Sequence, residues 1–142
     1  MLNAKPYDGI YELLWYCHKQ GMKTAVATNK REDYAIKLLE HFSFLPLFDC
    51  IVGSDFERKR TKTDIIRLCM KQMGVTIPGH CLMVGDTMYD VNGAQQAGID
   101  FLGVTYGFGF KKDDIETSAF DTVDSCIQLK NQIIAWGTAR TP

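Results

Sequence analysis

Apolar and polar positions alternate between two periods along the chain. Over 7–20 the apolar residues Ile10, Leu13, Leu14 and Cys17 fall at helical spacing, which predicts a helix with Asp8 as N-cap and Gly21 as its stop. The run 23–28 has strand length and predicts a short buried strand. Helical spacing returns over 31–42, through Ile36, Leu38, Leu39 and Phe42. A second strand is predicted over 49–54, and a third helix over 63–73 with Ile65, Ile66, Leu68, Cys69 and Met73 apolar. The third strand is predicted over 80–85, a short helix over 89–97 ending at Gly98, and a fourth strand over 101–105. The last helix is predicted over 123–136, with Ile127, Ile133 and Ile134 on its apolar side. Strands separated by helices of this length are joined by crossovers, so the predicted class is α/β with a mostly parallel sheet. Such sheets bind ligands beyond the C-terminal ends of their strands. The residues that follow each predicted strand are therefore the candidates for chemistry.

Composition narrows the class without naming a function. The 142 residues, 46% apolar and 23% charged, suit one soluble domain over 1–142, with 137–142 expected as a frayed, disordered tail. No apolar stretch nears the roughly 20 residues that span a bilayer, and the N-terminus lacks the apolar segment of a secretory leader. The expectation is a cytoplasmic protein with no membrane partner. A net charge of −1 offers no basic field for nucleic acid. The five cysteines, at 17, 50, 69, 81 and 126, have no C-x-x-C spacing and read as reduced core thiols, not as a zinc site or a disulfide framework. Trp15, Trp136, His18, His41 and His80 are isolated and read as structural or exposed.

The predicted strand ends carry three signals. The third strand runs into Gly85-Asp86-Thr87-Met88-Tyr89-Asp90. Two carboxylates four residues apart across a strand-to-helix turn can converge on a hard cation, and magnesium takes such oxygen ligands. The other reading makes Asp86 a helix cap and leaves Asp90 in solvent. The apolar strand just before Asp86 favours the metal. The first strand ends in Thr28-Asn29-Lys30, where a hydroxyl and backbone N–H groups can hold a phosphate; taken alone, the segment fits a plain helix cap better. The second strand is followed by a charged loop in which Arg58, Lys59 and Arg60 read as solvated. Lys62 stands at the start of the third helix, from where its ammonium can reach the same edge.

The order of these signals resembles the haloacid dehalogenase (HAD) superfamily of hydrolases, in its phosphoglycolate-phosphatase-like branch. The segment from Lys5-Pro6-Tyr7-Asp8-Gly9 to Leu14 is similar to that family's entry into the helix before its second motif. Val26-Ala27-Thr28-Asn29-Lys30 resembles the second motif. Ile51-Val52-Gly53-Ser54 with Lys62-Thr63-Asp64 resembles the third, and Met83-Val84-Gly85-Asp86-Thr87-Met88-Tyr89-Asp90-Val91 the fourth. Gly93-Ala94, Ala97-Gly98-Ile99 and Gly103-Val104-Thr105-Tyr106-Gly107-Phe108-Gly109 continue it, so that the likeness runs from about Lys5 to Ile134. It implies a Rossmann-like three-layer α/β sandwich, and a magnesium-dependent phosphomonoester hydrolase acting on a small phosphorylated metabolite. Phosphoglycolate is the leading substrate, with nucleotidase and pyrophosphatase activities on similar sequences. By the same likeness Thr28 and Asn29 bind the phosphoryl group, Thr28 and Lys62 take part in catalysis, Lys62 neutralises charge on the phosphate and the nucleophile, Asp86 binds Mg2+ directly, and Asp90 supports the metal site through water or orients Lys62.

One part of the family pattern is missing. The family nucleophile is the first Asp of a D-x-D-G-T-like segment after a first strand, followed by a helical cap domain that selects substrate. No such segment occurs here: Asp113-Asp114 are adjacent, and Asp121 and Asp124 lie near the C-terminus. The resemblance thus implies a truncated core without its central first strand and cap. Such a chain is expected to be inactive alone and open to self-association or to complementation by another segment. The competing expectation is a catalytically inactive phosphate- and metal-binding or interaction module.

Overall fold

A computed structural model of the chain describes residues 9–57, 59–105 and 120–140. The chain divides into two compact units, Met1–Thr76 and Ile77–Pro142.

The first unit contains helix α1 (Ile10–Lys19), strand β1 (Ala25–Arg31), helix α2 (Glu32–His41), strand β2 (Cys50–Ser54) and helix α3 (Lys62–Met73). β1 and β2 pair in parallel, with Ala25 opposite Cys50, Val26 opposite Ile51 and Ala27 opposite Val52. Their apolar side chains meet α3, which presents Ile65 and Cys69, one helical turn apart, to Val52. Ala25, Ala27, Cys50, Leu68 and Met73 close around that cluster. The strand starts are pinned by polar contacts: Asp49 Oδ2 accepts the Thr24 N–H at 2.7 Å, and the Thr24 hydroxyl donates to the Leu47 carbonyl at 2.7 Å. Lys23 donates to the last-turn carbonyl of Met73 at 3.0 Å, a cation placed at the negative end of α3.

The second unit holds strand β3 (Leu82–Gly85), helix α4 (Met88–Ala97), strands β4 (Asp100–Val104) and β5 (Asp121–Val123), and helix α5 (Cys126–Arg140). Its sheet has the order β3-β4-β5, parallel throughout. The α/β class and the parallel pairing read from the sequence are therefore those observed. β1 and β3, the strands leading to Thr28 and to Asp86, are each paired along one edge among the described residues.

Several boundaries differ from the sequence expectation. α1 starts from Gly9 in the left-handed region (φ 87°), not from an Asp8 cap; Asp8 itself lies outside the described residues, as do Arg58 and Tyr106 to Gly109. His80 belongs to a 3-10 turn, Pro78–His80, because Pro78 opens a turn before β3 can begin. Val123 ends β5 and does not open the last helix; at three residues that strand is too short to announce itself by periodicity. On α5 the buried residues are Cys126 and Leu129, while Ile127 is 75% exposed. α5 also continues through Arg140, beyond the end expected at 136. The Arg140 guanidinium is what ties down this last turn. It pairs with Asp100, donates to the Gly79 carbonyl at 2.7 Å and lies 4.5 Å from the Trp136 ring. Residues 137–140 are therefore helical where a tail was expected, and 141–142 lie outside the described residues.

Candidate functional site

In the first unit the site residues sit on an irregularity in β1. The ladder is regular as far as Ala27 opposite Val52 and resumes at Arg31 opposite Ser54. Thr28, Asn29 and Lys30 therefore stand opposite Gly53 alone, a bulge of the kind that re-aims side chains at a strand end. The Thr28 hydroxyl accepts the Lys30 N–H at 3.1 Å, a local turn that stabilises the bulge. Gly53 is required for it. A Cβ at that position would lie 2.6 Å from the Lys30 carbonyl oxygen and 2.7 Å from the Glu32 backbone. Neither Thr28 nor Asn29 caps a helix, since the N-cap of α2 is Arg31 and has no side-chain cap bond. The plain-cap reading of this segment is thus replaced by a bulge with a half-buried hydroxyl at its base.

Lys62 opens α3. Its N-cap, Thr61, forms a capping box with Asp64: the Thr61 hydroxyl accepts the Asp64 N–H at 3.1 Å and Asp64 accepts the Thr61 N–H at 2.9 Å. Those bonds from Thr61 hold the exposed Asp64 carboxyl below the ordinary carboxylate range. From the first helical position the Lys62 ammonium reaches back and donates to the Ala27 carbonyl at 2.7 Å. Thr28 and Lys62, 34 residues apart in sequence, are thus brought to the same end of β1.

In the second unit Asp86 follows β3 directly and Asp90 lies in the first turn of α4. The cap of this helix is Thr87, paired with Asp90 in a second capping box. Asp90 is 7% exposed and its Oδ2 accepts the N–H groups of Asp86 at 3.2 Å and Thr87 at 3.3 Å. Its own N–H donates to the Thr87 hydroxyl at 3.2 Å. Asp90 is therefore not in solvent, and Asp86 is not the cap. Gly85 leaves the space that this arrangement needs, because a Cβ there would lie 2.6 Å from the Asp90 Cβ and 2.7 Å from its Cγ. The half-buried Asp86 carboxylate has no hydrogen-bond partner among the described residues, which leaves its oxygens available to a hard cation.

Sequence reasoning missed Arg60. The neighbouring Lys59 fits the solvated reading, its 2.8 Å pair with Glu57 being exposed on both sides. Arg60 instead folds back, with Nη1 donating to the Gly53 carbonyl at 3.0 Å and 3.5 Å from Glu32 Oε1. Nothing in a run of basic residues separates the one that folds back from its neighbours. The two capping boxes were missed as well, although their signal, Thr-x-x-Asp at 61–64 and 87–90, stands in the sequence. Burial raises the thiols of Cys17, Cys50 and Cys81 away from the reactive thiolate.

A cavity of about 580 Å³ in the second unit lies against α4 and α5, lined by Leu82, Val91, Ile99, Leu102, Trp136 and Arg140 among others. Neither Asp86 nor Asp90 lines it. Its cation, Arg140, is neutralised by Asp100, so cavity size does not make it the phosphate site.

Parallel strands with a hydroxyl bulge after one, a lysine at the next helix start and a Gly-Asp turn after another define an α/β protein whose polar side chains gather where strands end. The haloacid dehalogenase-like hydrolase family matches residues 2–104, and the chain belongs to that family. It is 40% identical over 104 residues to a 5'-nucleotidase of Pseudomonas aeruginosa, a stretch covering 72% of this chain and 47% of that protein. It is 31% identical over 124 residues to a phosphoglycolate phosphatase of Pseudomonas fluorescens, covering 87% of this chain and 45% of that protein. A solved structure from Clostridium acetobutylicum, described as a predicted phosphatase, superposes with a TM-score of 0.81 at 36% identity, covering 91% of this chain and 60% of the other. The chain thus spans about half the length of these curated relatives.

Proposed function

We propose that these residues are the phosphate- and metal-holding part of a magnesium-dependent phosphomonoester hydrolase. Phosphoglycolate is the leading substrate, and nucleoside monophosphates and pyrophosphate are the alternatives. The observation that carries this reading is the Lys62 ammonium bonded to the carbonyl beside Thr28, which puts a cation next to a hydroxyl-bearing bulge. In this role the Thr28 hydroxyl and the Asn29 N–H bind phosphoryl oxygens and Lys62 neutralises their charge. Asp86 is the carboxylate ligand for Mg2+. Asp90 acts through the turn that it holds, because its Oδ2 is already an acceptor for two backbone N–H groups. When bound, Mg2+ supplies charge stabilisation at the phosphoryl oxygens. The covalent step needs a nucleophile aspartate in a D-x-D-G-T-like segment, which the 142 residues do not contain. We therefore assign these residues binding and charge stabilisation, and expect no turnover from them alone.

The second reading, a binding module without catalysis, is favoured by that same missing segment. Both readings require phosphate to bind at the bulge. A titration of the chain with inorganic phosphate, followed by amide chemical shifts, should move Thr28, Asn29 and Lys30, and Lys62→Ala should abolish the response. Shifts confined to other residues would end both readings. The two part at the upstream reading frame. An in-frame D-x-D-G-T segment, whose product hydrolyses an aryl phosphate with magnesium, selects the enzyme.

A further inference from the structure

We propose that Arg60 is a positioning residue: with Glu32 it braces the segment entering α3, so that the Lys62 ammonium stays on the carbonyl beside Thr28. Its consequence for phosphate rests on the reading of Thr28, Asn29 and Lys62 given above; the brace itself does not. Glu32 is the first residue after β1, and its Oε1 accepts the Gly53 N–H at 3.2 Å. Arg60 Nη1 takes the carbonyl of the same Gly53 at 3.0 Å and approaches that Oε1 to 3.5 Å. Gly53 is thus held at both of its backbone polar groups, on the strand position that faces the Thr28–Lys30 bulge. The loop is fastened twice more. The Arg60 N–H donates to Asp55 Oδ1 at 3.1 Å, and the Arg31 guanidinium lies 5.1 Å from the ring of Phe56, itself 83% exposed.

A lysine side chain carries four rotatable bonds, and holding it to one acceptor requires a fixed base. The Thr61–Asp64 box fixes the helix start, and the Arg60 Nη1 bond to Gly53 fixes the approach to it. The Arg60–Glu32 pair is only partly buried, so solvent screens its Coulomb attraction and its value lies in the geometry it imposes.

The test uses the whole chain, with the Lys62 ammonium followed by 15N NMR at low temperature. In the wild type its resonance should show slowed hydrogen exchange from the bond to Ala27. In Arg60→Ala and in Glu32→Ala, which removes the acceptor of the Gly53 N–H, that protection should be lost in molecules that remain folded, and affinity for inorganic phosphate should fall about tenfold, the scale of one charge-assisted hydrogen bond. The double variant should be no more than about twofold weaker than Arg60→Ala, because both changes undo one brace. Arg60→Lys, which keeps a donor for the Gly53 carbonyl, should recover part of the protection. A protected Lys62 resonance in both single variants, with phosphate affinity within about twofold of wild type, overturns the proposal. Loss of protection in variants of a chain that never binds phosphate upholds the brace and sinks the phosphate reading. If Arg60→Ala does not fold, Glu32→Ala and Arg60→Lys decide by the same readouts.

Discussion

The Asp90 carboxylate is buried and accepts two backbone N–H groups through one oxygen, whereas the Asp86 carboxylate has no hydrogen-bond partner among the described residues. Replacing each therefore separates stability from binding. Asp90→Ala leaves two N–H groups unsatisfied and should cost about 2 kcal/mol in denaturant unfolding. Asp86→Asn should cost no more than about 0.5 kcal/mol, while weakening Mg2+ binding in a calorimetric titration. The reverse pattern would make Asp86 the structural residue. Gly85→Ala and Gly53→Ala should each destabilise by about 1–3 kcal/mol, Gly53→Ala more, because its added Cβ meets backbone where that of Gly85 meets a side chain. The spacing of Asp86 and Asp90 was legible in the sequence, and the resemblance put Asp86 on the metal with Asp90 behind it, but the hold of Asp90 on the turn was not legible. Which carboxylate takes up the backbone donors depends on the room that Gly85 leaves, and that is a distance rather than a pattern.

At the scale of elements, apolar periodicity placed the first four helices well because each has a face to bury, and misplaced the last by three to four residues at either end. α3 was predicted within one residue of Lys62–Met73, and its buried Ile65, Ile66 and Cys69 were all on the expected face. The bulge at Thr28–Lys30 left no such mark, since polar residues leaving a strand look the same whether they bulge or cap. Thr61→Ala removes a capping-box acceptor and should cost about 1 kcal/mol, read as a lower Tm. The Asp64 carboxyl is held below its ordinary pKa by the bonds from Thr61, so its contribution is complete above the unfolded carboxylate range and disappears as pH falls through the folded value. The Tm difference between wild type and Asp64→Asn should accordingly be present near pH 7 and shrink as pH falls below the ordinary carboxylate range. A difference that grew on acidification would reverse the assignment.

At the scale of the molecule, the strands fall into sheets of two and three, one in each unit, and β1 and β3 carry their site residues with one edge unpaired among the described residues. Unpaired edges invite another strand. We propose, at this scale, self-association or complementation by an aspartate-bearing segment, and light scattering with and without a peptide of that type would test it. Among the described residues no helix is long and apolar enough to cross a membrane. The family was legible because its motifs are short and ordered along the chain; the substrate was not, because the cap that selects it is no part of these motifs.

The most direct measurement is steady-state hydrolysis of phosphoglycolate by a product in which a D-x-D-G-T-bearing segment precedes these residues, with and without Mg2+, in wild type, Asp86→Asn and Lys62→Ala. Metal-dependent turnover that falls at least about a hundredfold in either variant is the predicted result, in line with the loss of a charge-stabilising group. Turnover that survives both substitutions or ignores Mg2+, or none from a folded product carrying the upstream aspartates with any of the three substrate classes, would contradict the account.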